Sequence, residues 1–162
     1  MPDSPNKYYT LVGRIATSFA GTEMHVVDYC GELLGINDEL SLIIFSGMRF
    51  QELLNIFSKI FKYQIKNKEA QIKLEKILNG ILEQNKKRNT YVHSVTAYAS
   101  RREVFLLSPK AEPGYQRRKI KKIKINELKT LLRDIQKSQK ELYAFVPTII
   151  NEMKGNNLGK KE

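Results

Sequence analysis

The chain has 162 residues, 41% of them hydrophobic, no Trp, one cysteine and a net charge of +11. That length suits one domain around one core, and a lone Cys30 leaves no intrachain disulfide and no need for an oxidising compartment. No stretch approaches the roughly 18 continuous apolar residues of a membrane span, and Met1-Pro2-Asp3-Ser4-Pro5 lacks a signal pattern, so the expectation is a cytoplasmic protein without stable membrane association.

Charge is unevenly placed. Residues 1–60 hold four Lys/Arg against seven Asp/Glu, a net −3, whereas residues 61–162 hold 24 against ten, a net +14. Such asymmetry points to a polyanionic partner, nucleic acid first and a membrane surface second. Plain solubility is the competing reading.

Taken in order, the chain reads as mainly α: an up-and-down bundle of four to five helices, with a small antiparallel hairpin or meander inserted at about 95–125 before the last helix. It forms a single domain over residues 1–153, with a frayed basic tail at 154–162. Tyr8 to Leu34 predicts one long helix, because Tyr8, Leu11, Ile15, Phe19, Val26, Tyr29 and Leu33 recur at threes and fours. Gly35 ends it. Cys30 lies on its apolar face as an inert buried thiol, and His25 shows no spacing to another ligand. Gly13, Ala16, Thr17, Ala20 and Gly21 leave one flank thin enough for another helix, within the fold or from a second copy. Glu23 borders the apolar stripe, either as a surface carboxylate or as a partner for Arg88.

Asn37-Asp38 reads as a cap on a short second helix carrying Leu40, Ile43, Ile44 and Phe45. After Ser46-Gly47, Phe50 to Phe61 carries a third. A fourth runs from Asn67 to about His93, with Gly80 marking a close crossing. Beyond Ser94, Val95, Ala97 and Ala99 alternate, as do Phe105 and Leu107, and Pro109 and Pro113-Gly114 signal turns. This segment carries Arg101, Arg102, Lys110, Arg117, Arg118, Lys119, Lys121, Lys122 and Lys124. They read either as a protected sheet edge or as an RNA-binding, phosphate-tracking surface. Asn126 caps the last helix, with Glu127 in its first turn, and Pro147 predicts a kink or an early end near Val146.

The fourth helix closes on Lys86-Lys87-Arg88-Asn89-Thr90-Tyr91-Val92-His93-Ser94. Its apolar rows run into Arg88, Asn89 and His93, so a greasy face turns polar in its last two turns. Buried polar groups without partners cost about 1–3 kcal/mol, and breaks of this kind gather at functional sites. Arg88-Asn89-Thr90-Tyr91-Val92-His93 resembles the R-x4-6-H signature of HEPN domains, which are helical, usually dimeric, and in many cases metal-independent ribonucleases. Phe45-Ser46-Gly47-Met48-Arg49-Phe50 also resembles bacterial members, and the likeness covers most of residues 7–150. It implies a composite site across a homodimer, and a toxin of a defence or toxin–antitoxin system with a cognate antitoxin or inhibitor protein. Many members are non-catalytic dimerising or nucleotide-binding modules, and that reading stays open.

The residues themselves allow the chemistry. RNA carries its own nucleophile, the 2′-hydroxyl. A histidine such as His93 is the side chain suited to moving a proton near neutrality, and Arg88 can hold phosphate with two parallel hydrogen bonds. Asn89, one turn before His93, can orient the ring or the substrate, with Tyr91 and Ser94 beside them. Two histidines and one cysteine cannot build a usual zinc site, so neither metal nor cofactor is expected. On one helix, Arg88 and His93 stand about 140° apart with a rise of about 7.5 Å. Two copies facing each other would supply both proton carriers. The competing account makes Arg88 an ordinary paired arginine and His93 a cation favoured by the helix dipole.

Overall fold

The computed structural model describes residues 5–93, 95–100, 103–107 and 120–158. The described chain is mainly helical. Its elements run α1 (Pro5–Leu34), α2 (Asp38–Phe45), α3 (Phe50–Gln64), α4 (Lys68–Val92), β1 (Val95–Ser100), β2 (Glu103–Leu107), β3 (Ile120–Lys122) and α5 (Ile125–Leu158). No described helix is long and apolar enough to cross a membrane. The chain divides into two compact units. The first comprises residues up to Phe19 together with Glu83–Gln136, and the second comprises Ala20–Leu82 and residues from Lys137 onward. The helices α1, α4 and α5 contribute residues to both.

In the second unit, local chemistry sets each boundary. Gly35 stops α1 in a left-handed conformation at φ 68°. The Ile36 N–H then reaches the Gly31 carbonyl at 3.1 Å and the Gly35 N–H the Glu32 carbonyl at 3.3 Å, which satisfies carbonyls the helix would leave bare. Asn37 caps α2, its side chain accepting from the Leu40 N–H at 2.8 Å. Asn67 does the same for α4, accepting from the Glu69 and Ala70 N–H groups at 2.9 and 3.2 Å, so the helix starts one residue later than the apolar pattern predicts. Gln71, although buried, is satisfied by donating to the carbonyls of Ile65 and Lys62, which close α3.

The core of this unit holds Val26, Cys30, Leu53, Leu54, Phe57, Phe61, Leu74, Ile81, Leu142, Val146 and Ile150, all essentially buried. Burial pushes the Cys30 thiol up to about 12, which leaves it protonated and unreactive. His25 packs edge-on against Tyr143, with ring centroids 4.4 Å apart, and faces Asp28 at 3.8 Å. That is a structural role.

The short second helix forms as expected, over Asp38–Phe45. Of the apolar residues of α2, only Phe45 is buried, whereas Leu40, Ile43 and Ile44 are exposed, Ile43 by 71%. The cause is the inward turn of Ser41. A methyl group at Gly31 would overlap Ser41 Oγ and lie 3.1 Å from Ser41 Cβ, so the face that carries positions 41 and 45 is the one drawn in. Gly80 marks no tight crossing, since a Cβ there would meet Ser138 Oγ at an ordinary 3.8 Å. Neither Pro147 nor Lys154 ends α5, which continues to Leu158. A proline inside a helix costs about 3 kcal/mol. Fully buried Val146 and Ile150 flank this one and offset that cost, and the Lys154 ammonium is tied to Glu32 at 3.1 Å.

In the first unit, Tyr8, Leu11, Ile15 and Phe19 of α1 are buried, as are Tyr91 and the α5 row Leu128, Leu131, Leu132 and Ile135. The three strands form an antiparallel sheet in the order β1-β2-β3, with Val95 opposite Leu107 and Leu107 opposite Ile120. The α5 helix begins at Ile125, with the Glu127 N–H on the Lys124 carbonyl at 2.9 Å. Asn126 therefore sits inside the first turn rather than capping it.

The contact between Gly31 and Ser41 gives a test. On helix propensity alone, Gly31→Ala would stabilise by about 1 kcal/mol. Because the added methyl meets Ser41, the variant is expected to lose about 1–3 kcal/mol in urea unfolding. Adding Ser41→Ala should recover part of that loss.

Candidate functional site

The last turns of α4 split between two environments. Arg88 is half-buried, whereas Asn89 and His93 are exposed. The row therefore leaves the buried face at Asn89 and His93, while Asn85, Arg88 and Val92 are half-buried and Tyr91 is buried. The Arg88 guanidinium lies over the Phe19 ring at 5.7 Å, and its Nη1 donates to Asn89 Oδ1 at 2.9 Å. An arginine over an aromatic face is favoured by about 0.5–1 kcal/mol or more as it loses water. Arg88 Nε is buried with no hydrogen-bond partner among the described residues. The guanidinium is thus oriented by a ring and an amide, with no described carboxylate neutralising it.

His93 lies just past the helix, its N–H on the Asn89 carbonyl at 3.1 Å and its side chain in solvent. The structure thus brings Arg88 and Asn89 together and leaves the His93 imidazole apart from both side chains. Glu23 lies half-buried on α1 in the second unit.

Tyr91 is the anchor of this region. It is 8% exposed, and its hydroxyl donates to Glu127 Oε2 at 3.2 Å, which links the end of α4 to the start of α5. The buried Tyr8 hydroxyl donates to the Tyr91 carbonyl at 3.3 Å, which brings in α1. Burial first, then the Glu127 charge and its hydrogen bond, push the Tyr91 phenol up to about 12. One turn before Arg88, Gln84 donates to the Asp134 carbonyl at 3.2 Å, a second tie between α4 and α5.

Between these two ties lies a cleft of about 420 Å³, lined by Lys87, Tyr91, Asn126, Glu127, Thr130, Leu131 and Asp134. Residue patterning did not single out this cleft. Lys87 and Tyr91 are one turn apart, and Glu127, Leu131 and Asp134 share a helix face, but polar residues beside an apolar row are commonplace. Among the described residues, no three His, Cys, Asp or Glu side chains gather as metal ligands would.

The expected RNA-binding set falls mostly outside this picture. Arg101, Arg102, Arg117, Arg118 and Lys119 lie outside the described residues, as do the basic Lys110 and the supporting Ser94. Lys121 and Lys122 are placed by backbone alone, opposite Leu106 and Phe105 in β3, and Lys124 is exposed.

Tyr91→Phe should cost about 1.5–3 kcal/mol in urea unfolding at neutral pH, the scale of a hydrogen bond to a charged acceptor. The raised phenol also links stability to pH. Below pH 10 both states keep the proton. Between about pH 10 and 12 the unfolded chain loses it and the folded chain does not, so stability falls across that window. Tyr29, also raised to about 12, adds to the fall. Tyr91→Phe should therefore make the decline between about pH 10 and 12 shallower, and an unchanged slope would show that this phenol is not held protonated. Comparison of the chain with protein-family models, curated proteins and solved structures finds no match.

Proposed function

We propose that this protein is a HEPN-like endoribonuclease that cuts single-stranded RNA without a metal, acting as a cytoplasmic homodimer. The observation that carries this reading is the state of Arg88. Its guanidinium is positioned by Phe19 and Asn89, with a buried Nε still unpartnered among the described residues, five residues before an exposed His93 at the same helix end. A cation held in this way suits a phosphate whose charge grows in the transition state.

The reaction moves two protons. One imidazole takes the proton of the RNA 2′-hydroxyl, and the 2′-oxygen attacks phosphorus. The bond to the 5′-oxygen breaks, and a second imidazole, protonated, gives its proton to the leaving oxygen. The products are a 2′,3′-cyclic phosphate and a 5′-hydroxyl. One chain offers a single motif histidine, so the second comes from the other copy. The small-residue flank of α1, exposed at Gly13, Thr17 and Ala20, is a surface where a second copy can approach closely. The basic half of the sequence, Arg101, Arg102, Arg117, Arg118, Lys119, Lys121, Lys122 and Lys124 included, supplies attraction for the RNA backbone. Toxin activity held in check by a cognate antitoxin or inhibitor protein is the biological setting that this chemistry suits.

A second reading is favoured by one observation: the guanidinium is already engaged within its own chain. A non-catalytic dimeric module would use the same surface to hold RNA.

Cleavage of single-stranded RNA in EDTA separates the two. Wild type is expected to release 2′,3′-cyclic phosphate ends, with His93→Ala at least about 100-fold slower and Arg88→Ala slower by about 100- to 1000-fold. Full activity in His93→Ala would overturn the ribonuclease reading. Binding without cleavage at any enzyme concentration would establish the module.

A further inference from the structure

The cleft between the end of α4 and the start of α5 is chemically uneven. Lys87 and Tyr91 come from α4, and Thr130, Leu131 and Asp134 come from α5. Among the described residues, neither the Lys87 ammonium nor the Asp134 carboxylate has an ion-pair partner. Glu127, by contrast, already accepts the Tyr91 hydroxyl. One cleft thus holds a cation, two carboxylates of which Glu127 is already engaged, and the apolar groups of Leu131 and Tyr91. Its volume of about 420 Å³ suits a nucleotide-sized ligand.

We propose that this cleft binds a guanine nucleotide, with the base on Asp134 and the phosphate on Lys87. An ionised carboxylate only accepts hydrogen bonds. Guanine offers two adjacent donors on one edge, N1–H and the N2 amino group, which a single carboxylate takes in parallel. Adenine and cytosine set one amino donor beside a ring acceptor, and uracil sets one N–H between two carbonyls. Each of those three would press a lone pair against Asp134. On the other side, Lys87 is the one cation among the described residues that line the cleft, so the phosphate end is set by its position. The proposal rests on the ribonuclease reading only in making the nucleotide part of an RNA chain rather than free.

The test is calorimetric titration of the full chain with the 3′-monophosphates of guanosine, adenosine, cytidine and uridine at low salt. The guanosine nucleotide should bind about tenfold more tightly than the others, the discrimination typical of a bidentate base contact. Asp134→Asn, which replaces one acceptor with a donor, should abolish the preference while leaving adenosine binding in place. Lys87→Ala should weaken all four by a common factor. Equal binding of the four nucleotides, or a preference that survives Asp134→Asn, would overturn the proposal. A second arm uses His93→Ala protein with short single-stranded RNAs containing one guanosine or none. Asp134-dependent preference in that arm identifies RNA as the source of the base, and preference confined to the mononucleotides identifies a free nucleotide. Guanosine preference without any cleavage by wild type would sink the ribonuclease reading alone, and cleavage without base preference would sink the subsite alone.

Discussion

The hydrogen bond from Tyr91 to Glu127 is the constraint on which the first unit depends. A helix end is a weak place to build a site, because its last carbonyls lack intrahelical partners and the final turn frays. Here the last turn of α4 is pinned from two directions. The phenol reaches across to the first turn of α5, where a carboxylate also suits the helix dipole, and the Tyr91 carbonyl receives the Tyr8 hydroxyl from α1. Both tyrosines are nearly buried, so each bond is made where water competes poorly. Arg88, three residues before Tyr91, inherits that rigidity.

This arrangement sorts the polar end of α4 by role. Arg88 is held and Tyr91 holds, while Asn89 and His93 face outward. A buried, unpartnered Nε on an arginine is costly unless something else compensates. The Phe19 ring supplies part of that compensation. The cleft on the neighbouring face adds a second charged place to the same few turns. Phosphate chemistry at one face and base reading at the other would be consistent uses of a single ordered helix end.

The second unit shows how a close approach overrides periodicity. Leu40, Ile43 and Ile44 look like core residues, yet they stand exposed because Gly31 lets Ser41 take the inward position on an eight-residue helix. Pro147 shows the converse, a local breaker overruled by the burial of its neighbours Val146 and Ile150.

The order of residues alone determined the five helices and most of their ends, because apolar spacing, Gly35, Asn37 and Asn67 are local signals that act over a turn or two. It also singled out Arg88, Asn89 and His93, by polarity where apolar residues were due and by likeness to a motif. Only the tertiary structure decided which of these is held and which is free, and only it made the cleft of Lys87 and Asp134. Those two residues are 47 positions apart, and nothing in local spacing brings them together. Their juxtaposition follows from how α4 and α5 are tied side by side through Tyr91–Glu127 and Gln84–Asp134, and contacts of that range are set by packing rather than by pattern.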